Sequence, residues 1–207
     1  TNTYAEEKLM LCGVGDWKSA NQYHEITFYS IKDRKIPHKI KTFTLRGRYD
    51  SSRITDGYFY GFSKFYATMG EGKEDYAAYI PQIDGTCLEC NQIFLPKEMK
   101  GNCYLVMVSI DMKNPVDFTQ TMAIVIDCDR YYVSNEHIYI AKNLYGENEE
   151  GWNSNQVSLY SFFYEKGKFE LQAEGKVKGN LESSFSMDEY QGYDYILEND
   201  TIHLCLY

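Results

Sequence analysis

With 207 residues, 43% of them hydrophobic and 25% charged, the chain has the composition of a soluble globular protein and the length of one domain or one compact repeat array. Its net charge of −9 argues against nucleic acid, because phosphate contacts need Lys and Arg to displace counterions, and equally against an anionic membrane surface. No apolar run approaches the ~18 residues of a membrane-spanning helix, and the longest, Tyr104 to Ile110, is strand length.

Tyrosine is abundant, with 20 residues against 11 Phe and 2 Trp, and it suits a pleated, half-buried surface where the ring packs and the hydroxyl reaches water. The chain begins at Thr1, so a processed or trimmed N-terminus is expected. In chain order, the apolar run Lys8 to Val14 precedes the polar loop Gly15 to Gln22. A strand over His24 to Ile31 follows, then a turn at Lys32–Lys35 and a second strand from Ile36 to Leu45, closed by Gly47. Gly57 to Phe62 reads as a strand and Tyr66 to Asp75 as a loop. Tyr76 to Ile83 reads as a short strand that Pro81 confines to an edge, and Asp84 to Asn102 as a second loop.

Cys103 to Ile110 and Thr121 to Ile126 form a strand pair around Met112–Pro115. Tyr131–Val133 and His137–Ala141 flank the turn Ser134–Glu136. Beyond the acidic loop Gly146 to Gly151, Val157 to Phe163 and Phe169 to Val177 make a hairpin around Glu165–Gly167. Two last strands, Tyr193–Leu197 and Thr201–Leu206, surround Glu198–Asp200. No segment carries a 3.6-residue period over a helix's length, so the fold class is all-β.

An internal repeat organises these strands. Ile26-Thr27-Phe28-Tyr29-Ser30-Ile31 aligns with Val157-Ser158-Leu159-Tyr160-Ser161-Phe162, each after a Trp-led polar loop at Trp17 and Trp152. Each is followed by a turn, a strand ending in Gly, and a seam with paired serines: Gly47, Ser51 and Ser52 in the first copy, Gly179, Ser183 and Ser184 in the second. Val108-Ser109-Ile110 marks a weaker middle copy, lengthened by two loop insertions. The outer copies lie about 130 residues apart, a mean unit of roughly 65, which falls in the range of propellers and arrays. About four strands per unit is the pattern of a propeller blade, and the competing architecture is a β-sandwich with a duplicated hairpin. The units run approximately 1–47, 48–127, 128–179 and 180–207, three blades and part of a fourth within one propeller-like domain.

The second seam carries a family resemblance. Gly175-Lys176-Val177-Lys178-Gly179 and Phe185-Ser186-Met187-Asp188-Glu189-Tyr190-x-Gly192 resemble the signature of a family of secreted bacterial and archaeal proteins, the β-propeller domain family. The Ser-Ser-Arg seam with Ile80-Pro81, and Tyr132 to Tyr139, also resemble stretches of that family, in the same order. Tyr193-Asp194-Tyr195-Ile196-Leu197 departs from it, since an Arg-bearing strand rich in Val, Ala and Thr is usual there. Family members are also longer, with enough blades to close a ring. The resemblance implies a secreted or surface-attached protein of unassigned activity, with no catalytic residues to carry over. An unclosed array would expose sheet edges, inviting a homodimer or contact with further blades.

Candidate chemistry is sparse. Cys87-x-x-Cys90 could be a disulfide, half a metal site or an inert thiol pair; a structural zinc would need two more ligands, and no second Cys-x-x-Cys is present. The seam residues Gly47, Ser51, Ser52, Gly179, Ser183, Ser184, Met187, Asp188 and Gly192 read as a structural joint rather than a catalytic set, with the serines and Asp56-Gly57 supplying turn chemistry. Trp17 and Trp152 are candidates for stacking against a ligand, with packing of each loop onto its sheet as the competing role. No cofactor, metal, nucleic acid or membrane insertion is expected. The expected function is an extracellular, non-enzymatic module that binds protein or glycan through propeller loops. A secreted hydrolase with a site at the array's centre, or a structural spacer, are the alternatives.

Overall fold

A computed structural model describes residues 8–14, 22–97, 101–128, 130–147, 153–181, 183, 186–190, 193–198 and 201–206. By contacts the chain divides into two compact units. The first holds Thr1–Asp127 and the tripeptide Lys166–Lys168; the second holds Cys128–Glu165 and Phe169–Tyr207.

In the first unit, β1 (Lys8–Val14), β2 (Tyr23–Ser30) and β3 (His38–Arg46) run as an antiparallel meander. Strands β4 (Arg48–Thr55) and β5 (Tyr58–Tyr66) open a second sheet. The insertion that follows carries the helical turn α1 (Tyr76–Tyr79), strands β6 (Gln82–Ile83) and β7 (Thr86–Cys87), a 3-10 turn (Cys90–Gln92) and β8 (Ile93–Phe94). Strands β9 (Cys103–Asp111) and β10 (Gln120–Val125) complete the second sheet. The sheet orders are β1-β2-β3-β6-β7 and β4-β5-β9-β10-β8. The insertion therefore supplies edge strands to both sheets. It extends the first where Ile83 faces Leu45, and the second where β8 lies parallel to β10. Thr44 and Asp84 reinforce the first junction: each backbone N–H is 2.7 Å from an oxygen of the other, the Thr44 carbonyl or the Asp84 carboxylate.

Period-two alternation explains the core. Ile26 and Phe28 of β2, Phe43 and Leu45 of β3, Phe59 and Phe65 of β5, and Val106, Val108 and Ile110 of β9 form one buried cluster, joined by Ile83 and Leu88 of the insertion. Strand β9 is buried at every residue from Leu105 to Ile110, which is why it reads as a continuous apolar run. On its other face, Ser109 Oγ donates to the Gly167 carbonyl, and Gly167 N–H donates to Tyr60 Oη at 2.9 Å. A Cβ on Gly167 would fall 2.7 Å from both Thr119 Cγ2 and Tyr58 Cδ1, so only glycine fits there.

The second unit contains the sheet β11 (Arg130–Val133), β12 (His137–Glu147), β13 (Asn153–Glu165) and β14 (Lys168–Lys178), paired in that order. It also contains the smaller sheet β15 (Met187–Tyr190), β16 (Tyr193–Glu198) and β17 (Thr201–Leu206). Leu181 and Met187 pack on Tyr139, Ala141 and Val157. Asn143 fixes that approach with both ends of its amide: Nδ2 donates to the Leu181 carbonyl at 3.1 Å and Oδ1 accepts Leu181 N–H at 2.9 Å.

Among the described residues, three hairpins turn on an X-Gly pair with positive φ at both positions: Asp56-Gly57, Asp84-Gly85 and Lys166-Gly167. This is the type I′ geometry whose twist matches that of the flanking strands. The seam glycines are a second matched set. Gly47 has φ 119° and Gly179 has φ 109°; Gly47 directly follows β3 and Gly179 directly follows β14.

Several stretches differ from the expectation. Asn153 to Gln156, expected in a polar loop, open β13 and pair with β12. Tyr76–Tyr79 is a helical turn rather than a strand, with Ile80 N–H donating to the Tyr76 carbonyl at 2.8 Å. Ala77 and Ala78 favour the turn, and Pro81 then restores extended backbone. The expected second loop also contains β7, the 3-10 turn and β8, whose two-residue strands are too short to show a period.

The first seam rests on a buried histidine. His24 is 1% exposed, its ring meets Tyr49 edge-on at 5.9 Å, and its Nδ1 lies 3.0 Å from the Gly47 carbonyl. A carbonyl only accepts, so Nδ1 carries the proton. Burial lowers the His24 pKa below 6.5, with the bond to Gly47 acting in the opposite sense. The unfolded chain therefore takes up this proton first. The stability from neutral His24 is complete above about pH 6.5 and is lost as pH falls through that value toward the folded pKa. The urea midpoint should drop between about pH 7.5 and pH 5.5, and His24→Gln should remove that part of the slope. An unchanged slope in the variant would assign the effect to another group.

Candidate binding cleft

An open cleft of about 580 Å3 lies in the first unit, within the roughly 300–1,000 Å3 of small-ligand sites. Tyr23 enters from the start of β2, Thr44 and Arg46 from β3, and Gln82 and Gly85 from the β6–β7 hairpin. Thr68, Met69, Glu71 and Asp75 come from the insertion. Met69 is 99% exposed and the Tyr23 ring 43%, so two large apolar groups stand in solvent at its mouth.

The insertion wall is fixed by its own hydrogen bonds. Thr68 N–H donates to the Ala78 carbonyl at 2.9 Å, and Ala67 N–H to the Asn102 carbonyl at 2.7 Å. The Asp75 carboxylate accepts Glu71 N–H through Oδ2, and Tyr79 Oη accepts Gly70 N–H, both at 3.2 Å. Gly70 permits this closeness, since a Cβ there would lie 2.9 Å from Asp75 Oδ2 and from Tyr79 Oη. Arg46 joins the wall to the sheet: Nη1 donates to the Ala77 carbonyl, and the guanidinium lies 5.5 Å from the Phe65 ring centroid. The cleft is thus preformed, which reduces the ordering cost of binding.

The described residues among those expected from sequence do not line the cleft. Trp17, Trp152, Ser184 and Gly192 lie outside the described residues. Ser51 and Ser52 sit within β4 instead of a turn, with Ser52 Oγ 2.9 Å from Tyr49 Oη. Gly47 N–H donates to the Gln22 carbonyl at 2.7 Å. In the second unit, Gly179 follows β14, Ser183 accepts Ser186 N–H on its carbonyl, and Met187 is buried. Asp188 is exposed and its Oδ1 accepts from Tyr132 Oη at 3.2 Å. Cys87 and Cys90 are free thiols. Cys87 pairs with the cleft residue Gln82 across the β6–β7 hairpin, and Cys90 is exposed at the 3-10 turn. Among the described residues, no group of three or more His, Cys, Asp or Glu is placed to hold a metal ion, and no helix is long and apolar enough to cross a membrane.

Among the described residues, the groups with shifted pKa values belong to the framework. Besides His24, the Tyr104 hydroxyl on β9 is raised by burial. The Tyr66 hydroxyl is pushed up to about 12 by burial and then by Cys103, its partner across the β5–β9 ladder. None of the three lines the cleft. Tyr23, Met69, Glu71 and Asp75 went unnoticed in sequence because each is ordinary where it stands. The available signal was the length of the insertion, since long loops in compact domains are commonly functional.

Antiparallel sheets built largely by meanders and handed on at positive-φ glycines define an all-β, propeller-like array of blades. The chain belongs to the β-propeller domain family, whose model matches residues 2–199. No curated protein matches it.

Proposed function

We propose that the chain is a non-enzymatic binding module that captures a protein or glycan in the cleft of the first unit. The observation that carries this reading is the pairing of a preformed wall with solvent-exposed Met69 and Tyr23. Large apolar groups held in water at a concave site favour a ligand that covers them. The family resemblance supports a site of action outside the cell or on its surface.

The test is a binding screen of the chain against peptide and glycan arrays, repeated with the double variant Tyr23→Ala and Met69→Ala. Binding should weaken by about tenfold or more while the urea midpoint stays within the small range of surface substitutions. Array binding that survives the double variant would place the ligand elsewhere, and substrate turnover would replace the binding reading with an enzymatic one.

A further inference from the structure

We infer that the occupant of the cleft is a basic segment of a protein partner, a short stretch of chain carrying Lys or Arg. This rests on the reading that the cleft is the binding site. The Glu71 and Asp75 carboxylates only accept hydrogen bonds. Asp75 Oδ2 is engaged by Glu71 N–H, and the insertion beside them adds Glu74 against Lys73. Among the described residues that line the cleft the cation is Arg46, and it directs its guanidinium to the Ala77 carbonyl and the Phe65 ring, so it serves the wall. The two carboxylates among the lining residues ask for donors and positive charge.

The apolar residues match the rest of such a side chain. A Lys or Arg stem is a run of methylenes with a charged head. Met69 offers a flexible, polarisable thioether that follows an irregular stem, and the Tyr23 ring offers a face for a guanidinium or ammonium. A sugar-binding platform would place flat rings where Met69 stands. The net charge of −9 adds long-range attraction for a basic partner.

The experiment sorts a randomised heptapeptide display library on the immobilised full chain, then titrates the selected peptides and neutral β-linked oligosaccharides in solution. Lys and Arg should be enriched, and replacing them by norleucine or citrulline should cost about tenfold or more in affinity. Affinity should fall with added salt. Glu71→Lys should weaken binding by about tenfold, whereas Glu170→Lys, the same charge change on exposed β14 of the second unit, should leave it unchanged. Tyr23→Ala with Met69→Ala keeps the net charge and should also abolish the preference. Equal losses from Glu71→Lys and Glu170→Lys would overturn the inference by showing only general attraction to an acidic protein. Oligosaccharide binding lost in the Tyr23/Met69 variant, with no basic peptide selected, would overturn it but keep the cleft as a binding site. Ligands indifferent to every cleft variant would overturn both.

Discussion

Gly47→Ala should lower the stability of the first unit by about 3 kcal/mol, more than most single substitutions. Gly47 alone separates β3 of the first sheet from β4 of the second, and its φ of 119° lies where L side chains rarely go. A Cβ would come 2.7 Å from the Lys64 carbonyl oxygen and 3.3 Å from Phe65 Cα. Both are backbone atoms of β5, so relief requires moving a strand rather than rotating a side chain. Shifting Gly47 would also disturb its bonds to Gln22 and His24. Urea unfolding measures the loss, with Gly175→Ala as the control: nothing lies within 4 Å of a Cβ there and no positive φ is required. A Gly47→Ala midpoint equal to that of the control would mean that the seam adapts freely.

Phe28→Ala should cost about 3–5 kcal/mol, the range for deleting a buried aromatic ring. Phe28 is fully buried and meets Phe43 and Phe59 edge-to-face, with centroids 6.0 and 5.7 Å away. Phe43 in turn lies 4.4 Å from Phe118. One ring therefore touches both sheets of the first unit, and its loss leaves a cavity flanked by two rings whose backbones are fixed in ladders. Hydrogen exchange resolves the effect: protection of β2, β3 and β5 amides should fall, while that of β12 and β13 in the second unit should hold. Uniform loss across all five strands would show that the units unfold as one. Ile36→Ala, at a side chain 59% exposed, should change little.

The regular strands were legible because their side chains alternate against a common core. Cys103 to Ile110 and Thr121 to Ile126 were expected to pair, and β9 and β10 do so with Val106 opposite Ala123. The hairpin at Glu165–Gly167 was legible through its Lys-Gly step, since glycine accepts the positive φ of a type I′ turn. The two seams were legible as equivalents, and the shared positive φ of Gly47 and Gly179 gives that equivalence a backbone basis. The insertion was not legible in the same way. Strands β6, β7 and β8 have two residues each. Strands β6 and β7 pair locally, but β6 joins the first sheet at Leu45 and β8 joins the second at Ala123 and Ile124, far away in the chain. The cleft inherits this difficulty: Tyr23, Arg46, Met69 and Gln82 come from separate elements, and no local spacing connects them.

The insertion also sets an order of events during synthesis. Strand β3 leaves the ribosome with its outer edge bare, and its neighbour β6 follows only after β4, β5 and α1. Until then the edge of a nascent sheet is open to the wrong neighbour, a recognised route to misassembly. The charged, exposed stretch Lys32–Lys35 and the lysines at 39 and 41 suit that interval, since charge near an open edge discourages pairing with another copy. When residues 82–87 arrive they cap this edge and bring Gln82 and Gly85 to the cleft. The sheet that β1 opens is thus completed late, and the cleft cannot form before it is closed.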